Sequence, residues 1–576
     1  MTHGFVMTTV VVSLAIGAIC DPAFAEKSPP KTILDPQCLR DFAPGAFKNV
    51  PLIVQLAEGA FLAYMASRDQ GQPCVVVRSS GDGGQSWSDE SIVFRGYDDV
   101  TEALVDRDGE IHLFFIRAPD SAQSLPTGGE ESRPLVGQLV KMRLDIWYTR
   151  SHGGRATYDM PRMIWKGYTG ALNSVIQTRH GRILLPFSFL TNRSWGNRGG
   201  GFADFTFAGQ YDSTLIYSDD GGTTWKAANN LSIPVPDIVS AYGAVEPVVV
   251  ELKNKIWMLI RGQTGRFYDS WSADDGATWA KPKSTDIISS DSPAGLVRLS
   301  DGRLVLLWNC CLRYPYAYGG RQVLHAAISS DEGKTWRGYR EVARDRFRNE
   351  PPPKTGDHGT AYPFPIATRD DKILFRTGQG EGRVEIKLLD PLYLYQARQE
   401  TDWQQKLEDW SIYGTKGVGL GPAEGSTTGQ ALTIRRVDTD FPSAAVWNFP
   451  MGSTGTLRMR VKLPRDGEGF RIGLTDHYSP PFDEEDMYYN VFNVKMGGPD
   501  GISVPTEQWG EVQLEWDTNT GSCTVSTGLK EICTIKASRV AHGICYLRIM
   551  ARSAKPEKGG LWLDSMEVDL YKSFQK

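Results

Sequence analysis

Short apolar runs separated by polar turns fill the first two-thirds of the chain. Cys74-Val-Val-Val-Arg78, Ser213-Thr-Leu-Ile-Tyr217 and Gln322-Val-Leu-His-Ala-Ala-Ile328 are β-prone stretches of strand length. Each leads into a polar octet of one pattern, Ser-x-Asp-x-Gly-x-(Ser/Thr)-Trp. The octet begins at Ser80, Ser218, Ser272 and Ser329 and carries its aspartate at Asp82, Asp220, Asp274 and Asp331. The last three aspartates follow at intervals of about 55 residues, and the wider first interval holds a degenerate copy from Ser151 to Tyr158. Repetition at this period predicts an array of similar supersecondary units. Short polar side chains that bond nearby backbone and a glycine that accepts positive φ predict a tight turn between two strands. The closing tryptophan is expected to anchor that turn on its own hairpin. The aspartates are therefore assigned to turn formation and not to catalysis.

Beyond residue 400 the octet disappears and the pattern changes. Gly455–Leu463, Phe470–Leu474, Glu511–Trp516, Tyr546–Met550 and Leu561–Asp564 alternate apolar and polar side chains, as half-buried antiparallel strands do. This predicts an all-β protein in two parts, a repeat domain over 26–400 and a β-sandwich of jelly-roll or concanavalin-like type over 401–576. Two roles remain open for the second part, glycan binding and packing support for the first.

With 576 residues, 40% of them hydrophobic, the chain can bury more than one sizeable core, and its 60 glycines and 33 prolines suit many turns. A net charge of −5 gives no electrostatic reason to expect nucleic acid or an anionic membrane surface as partner. The uncharged apolar run Val6–Ile19, followed by Ala23-Phe24-Ala25, predicts a signal peptide over 1–25. The run is short for a membrane span. A secreted or periplasmic protein without a stable membrane anchor is expected. Loss of Cys20 with the leader leaves an odd number of cysteines, of which Cys523 and Cys533 flank a hairpin and are candidates for a bridge. No Cys or His spacing suggests a metal site, and no cofactor is expected.

Four such octets within one stretch, over residues 45 to 385, resemble the sialidase (neuraminidase) superfamily. The resemblance implies a six-bladed β-propeller and a glycan substrate. It also gives roles to residues between the octets. Val245-Glu246-Pro-Val-Val-Val-Glu251, with Arg261 ten residues on, resembles the family segment whose glutamate polarises the nucleophile and whose arginine binds the substrate carboxylate. Arg321, eight residues before the fourth octet, matches a second arginine of that clamp. Tyr362, in Gly359-Thr-Ala-Tyr362 ahead of a β-prone run, matches the nucleophile, with Tyr314, Tyr316 and Tyr318 as competing tyrosines. Asp69, in the loop segment before the strand that leads to the first octet, matches the acid.

Those residue types suit the chemistry. A planar arginine holds a carboxylate bidentately. A neutral tyrosine avoids the repulsion that a carboxylate nucleophile would meet from an acidic sugar, and with a pKa of about 10 it needs a base beside it. The chain departs from the family at one place. The family opens its propeller with aromatic-Arg-Ile-Pro, whereas this chain reads Phe47-Lys48-Asn49-Val50-Pro51. Lys48 or Asn49 then stands where the first clamp arginine belongs, a point charge or a neutral donor in place of a fork. The resemblance thus implies an exo-glycosidase acting on a terminal sialic acid or related acidic sugar. A hydrolase or lyase for another uronic-acid or rhamnose-containing polysaccharide, with His358 as an acid or base, and a non-catalytic glycan-binding propeller are the alternatives.

Overall fold

The computed structural model describes residues 38–117, 144–153, 155–167, 169–197, 205–235, 243–312, 320–350, 358–401, 403, 406–413, 416–465 and 467–570. The leader over 1–25, Tyr314, Tyr316 and Tyr318 lie outside the described residues.

Strands dominate, as the alternating and β-prone runs require. Six sheets of one plan follow one another between Leu52 and Leu389. In each, consecutive strands pair antiparallel in simple up-and-down order, and the fourth sheet is typical: Val245–Glu251, Ile256–Arg261, Arg266–Ser272 and Lys283–Ile288. The second sheet carries one extra short strand, Arg155–Tyr158. The sixth takes its outer strand from the other end of the domain, with Leu39, Arg40 and Asp41 paired to Leu389, Leu388 and Lys387. That pairing fastens the beginning of the ring to its end and closes a six-bladed propeller. Apolar clusters fill the spaces between adjacent sheets; one joins Val248, Leu259 and Phe267 of the fourth to Leu296, Leu306 and Trp308 of the fifth.

The octets occupy the turn between the third and fourth strands of four sheets. In the third octet Gly276 N donates to the Ser272 hydroxyl, which in turn donates to Asp274, while Thr278 donates to Asp274 through both its backbone N–H, at 2.9 Å, and its hydroxyl, at 2.6 Å. The same bonds recur around Asp220 and Asp331. In the first octet the Ser86 hydroxyl and N–H, with Ser80, hold the Asp82 carboxyl down at about 2. Gly276 has φ of 88°, and a Cβ there would stand 2.8 Å from Leu184 of the preceding sheet. The tryptophan reaches further than its own hairpin. Trp279 donates to Gly276 O but packs its ring into the cluster shared by the third and fourth sheets, with Leu184 and Leu215. The degenerate copy lacks the aspartate, and Ser151 bonds Glu110 instead.

After Arg398 the strands build two larger sheets, one of eight strands and one of five. Their facing sides bury Trp410, Trp447, Phe449, Trp516 and a shell of Leu, Ile and Val in one core, the arrangement of a β-sandwich. The expected Cys523–Cys533 bridge is absent: both are thiols. The hairpin register sets Cys523 opposite Ile535 and Cys533 opposite Val525, so the two are diagonal neighbours and not directly opposed. The sandwich packs on the fifth sheet of the propeller through Cys311, Val323, Val446, Tyr478, Cys545 and Tyr546. A buried relay lies beside this patch, with His325 bonded to the Tyr546 hydroxyl at 2.6 Å and that hydroxyl donating to Glu341 at 2.7 Å. Burial holds the His325 imidazole down at about 4, so it serves this contact as the neutral ring.

Candidate active site

The first strands of the six sheets, among them Leu52–Gln55, Val245–Glu251 and Phe364–Ala367, surround the axis of the ring. Residues at the starts of these strands and at the corners between second and third strands share one end of that axis. Glu246 is the second residue of Val245–Glu251, Arg261 the last of Ile256–Arg261, Arg321 precedes Val323–Ser329, and Tyr362 precedes Phe364–Ala367. The fold therefore delivers all four to the same place from three different sheets.

They meet there. The Tyr362 hydroxyl donates to Glu246 Oε1 at 2.8 Å. Arg261 Nη1 donates to Glu246 Oε2 at 2.5 Å and to the Tyr362 oxygen at 3.2 Å. The Arg321 guanidinium lies 5.7 Å from the centre of the Tyr362 ring. Glu246 and Arg261 are each 6% exposed and Arg321 2%. Burial and the adjoining Glu246 carboxylate push the Tyr362 phenol above its ordinary value, and Arg261 and Arg321 pull the other way. The phenol is neutral at rest, with an acceptor already in place for its proton.

The backbone holds two of these residues in an unusual state. Glu246 has φ of 48° and Tyr362 of 59°, the left-handed region that side chains other than glycine rarely occupy. Glu246 sits in a bulge, since pairing jumps from Val245↔Arg261 to Val248↔Leu259, and its N–H is held by the Ser188 hydroxyl at 3.2 Å. Tyr362 is fixed from both sides: Thr360 N donates to Arg321 O at 2.7 Å, and Gly378 N donates to Ala361 O at 2.9 Å. Gly359 permits this approach, because a Cβ there would lie 2.3 Å from Arg321 O. Strain of order 1–3 kcal/mol per such residue persists only where surrounding bonds over-determine it.

Two partners in the cluster carry no signal in the octet register. Asp291, 3% exposed, accepts from Arg261 Nε at 2.7 Å, and its carbonyl accepts from Arg321 Nη2 at 2.6 Å. Gln379 accepts from Arg321 Nη1 at 2.8 Å. Asp291 lies in Ser289-Ser-Asp-Ser292, a polar run just ahead of the fifth sheet's first strand and buried throughout. It lies ahead of Gly295–Arg298, outside any strand, and its local sequence does not mark it as buried.

The other sequence-derived residues stand apart from this network. Asp69 ends the second strand of the first sheet, the position equivalent to Arg261, and is paired with Arg95 at 2.8 Å. Lys48 is exposed, and Asn49 donates its amide to Ala66 O at 2.9 Å. Neither brings a charge to Arg261 or Arg321. His358 is buried in the segment leading to Tyr362.

Among the described residues no group of three or more His, Cys, Asp or Glu is placed to hold a metal ion, and no helix is long and apolar enough to cross a membrane. A model of the BNR repeat-like domain family matches residues 58–375. The chain is 31% identical over 145 residues to a sialidase of Vibrio cholerae serotype O1, covering 21% of this chain and 19% of that protein. It is 23% identical over 323 residues to a sialidase of Micromonospora viridifaciens, covering 50% of this chain and 45% of that protein. It thus spans less than half the length of these curated relatives. Among solved structures, Trypanosoma rangeli sialidase in complex with 2,3-difluorosialic acid aligns with a TM-score of 0.39 at 13% identity, over 90% of this chain and 91% of that one. The family match extends over more than half of the chain, which therefore belongs to the BNR repeat-like domain family.

Proposed function

We propose that this chain is an exported glycosidase of the sialidase type, releasing a terminal sialic acid or related acidic sugar from a glycan through Tyr362. The observation that carries the reading is the buried Tyr362–Glu246 hydrogen bond of 2.8 Å with Arg261 against both groups. A nucleophile within hydrogen-bond reach of a base that a third group orients is the arrangement nucleophilic catalysis needs.

In the first step the Tyr362 oxygen attacks the anomeric carbon and its proton passes to Glu246. The bond to the leaving oxygen breaks, and Asp69, entering as the acid, gives that oxygen a proton. In the second step water attacks the anomeric carbon, Asp69 takes a proton from it, and the tyrosyl oxygen leaves and regains its proton from Glu246. Atoms balance to hydrolysis. Asp69 must leave Arg95 to act, and an exposed ion pair of this kind costs little to open. Arg321, presenting donors beside the tyrosine ring, supports orientation of the sugar's carboxylate.

The leader over 1–25, the division at residue 400 and a secreted or periplasmic location belong to the same proposal. The exposed Lys48 and the engaged Asn49 favour an acidic sugar other than unmodified sialic acid as a second reading. A panel of fluorogenic sialosides, uronides and rhamnosides, assayed with the protein and with Tyr362→Phe, tests both. Sialoside turnover lost in Tyr362→Phe supports the first reading, turnover confined to uronides supports the second, and turnover confined to rhamnosides contradicts both.

A further inference from the structure

Below the Tyr362 cluster a cavity of about 400 Å3 runs along the propeller axis, lined by the first strands of all six sheets. Most of its wall is apolar, with Leu52, Val54, Val249, Leu296 and Ile366. The end nearer the cluster is different. Glu102 begins the second sheet's first strand, Asn173 lies just ahead of the third sheet's, and Arg376 stands opposite Phe364 in the sixth sheet.

Three observations at that end need a ligand to make sense of them. Asn173 is 4% exposed, yet both its amide nitrogen and its amide oxygen lack a hydrogen-bond partner. Burying an amide in this way is costly unless something fills its valences. Arg376 is stacked 4.3 Å over the Phe364 ring, and no hydrogen bond joins its guanidinium to a described residue. Among the described residues its charge is faced by Asp99 and Glu102. Glu102 uses one oxygen on the N–H of Ala103, at 3.0 Å. Burial pushes its carboxyl up to about 8, against the pull of Arg376, so near neutrality it is an O–H donor and leaves Asp99 as the carboxylate that faces the guanidinium.

Arg376 is also next to the candidate nucleophile along the backbone. It precedes Thr377 and Gly378, which bond to Thr360 and Ala361 immediately before Tyr362. A flat five-donor fork, fixed by an aromatic face and bordered by an amide and a carboxyl, is built for an oxyanion.

We propose that Arg376, with Asn173 and Glu102, forms an oxyanion subsite at the mouth of the axial cavity, and that this chain binds the carboxylate or a sulfate substituent of its sugar there. The subsite replaces, from the sixth sheet, the cation that Lys48 and Asn49 do not supply. This rests on the reading that an acidic sugar sits against Tyr362, and it adds where the acid group is held.

The test uses the full chain and compares it with Arg376→Gln, Arg376→Lys and, as a control at the far end of the cavity, Arg298→Gln. Calorimetric titration with N-acetylneuraminic acid and with its methyl ester separates charge recognition from sugar recognition. The expected result is a loss of about 10- to 100-fold in affinity for the acid in Arg376→Gln. The ester should be unaffected, Arg376→Lys should restore part of the loss, and Arg298→Gln should match the parent. Unchanged acid binding in a folded Arg376→Gln overturns the proposal. If the parent binds neither acid nor ester, the sialic acid reading fails and melting temperatures in sulfate against chloride at matched ionic strength decide the subsite. A sulfate-dependent rise lost in Arg376→Gln sustains it for another acidic sugar; no rise in the parent, or an equal rise in both, overturns it.

Discussion

Tyr362 donates its phenolic hydrogen to Glu246 Oε1 at 2.8 Å while both residues hold left-handed backbone, with φ of 59° and 48°. Each conformation is unfavourable alone. Their coincidence in one hydrogen-bonded pair, with Arg261 bonded to both, marks the place where the fold spends stability on geometry.

Glu246→Gln keeps the size and the bond to the tyrosine but removes the base. Turnover should fall by about 10²- to 10⁴-fold, the range of general-base contributions, with substrate affinity nearly unchanged. Comparing kcat with KM on the active substrate checks this; a loss confined to KM would assign Glu246 to binding.

Asp291 touches Arg261 and not Tyr362, so its expected role is positioning. Asp291→Asn should lower kcat by up to about 10²-fold through displacement of the Arg261 fork. The change also takes a buried carboxylate from Arg261, which keeps its bond to Glu246. Partial recovery in Asp291→Glu, with its longer reach to the same Nε, distinguishes positioning from general destabilisation.

Glu102 gives a pH signature. Its folded-state value of about 8 lies above that of an unfolded glutamate. Its contribution is therefore fully present below about pH 4 and is lost as pH rises toward 8, because the buried carboxyl must then ionise. The melting temperature of Glu102→Gln minus that of the parent should accordingly increase between pH 5 and 8. A difference that is flat across this window would show that Glu102 does not carry the proton.

The octets are expected to matter for stability alone. Asp274→Ala removes the acceptor for Thr278 N–H, the Thr278 hydroxyl and the Ser272 hydroxyl. A loss of about 1–3 kcal/mol is expected, read as a lower midpoint in denaturant with kcat preserved. A selective loss of kcat would contradict the assignment of the octets to turns.

The sequence displays some of this plainly and hides the rest for physical reasons. The octets mark the turn after the third strand in four of the six sheets, and Glu246, Arg261, Arg321 and Tyr362 are legible by their offsets from strands and octets. Asp291 is not, because Ser289-Ser-Asp-Ser292 reads as a solvated loop; its burial comes from contacts remote in the chain, with Ser292 on Asn309 and Ser290 on Gly320. Arg376 ends the apolar run Ile373-Leu-Phe and reads as an outward-facing strand residue. The closing strand Leu39–Asp41 is too short for any periodicity and takes its register from residues about 350 positions away. The missing Cys523–Cys533 bridge follows from the hairpin register, which spacing between cysteines does not reveal.

Covalent trapping tests the central claim most directly. The protein is incubated with a 2,3-difluoro derivative of sialic acid, whose C3 fluorine slows breakdown of a glycosyl–enzyme, and its peptides are analysed by mass spectrometry. One adduct is expected, on the Tyr362 oxygen, absent from Tyr362→Phe, which should also lack sialoside turnover. Sialoside turnover that survives in Tyr362→Phe, or an adduct on any other residue, would contradict it.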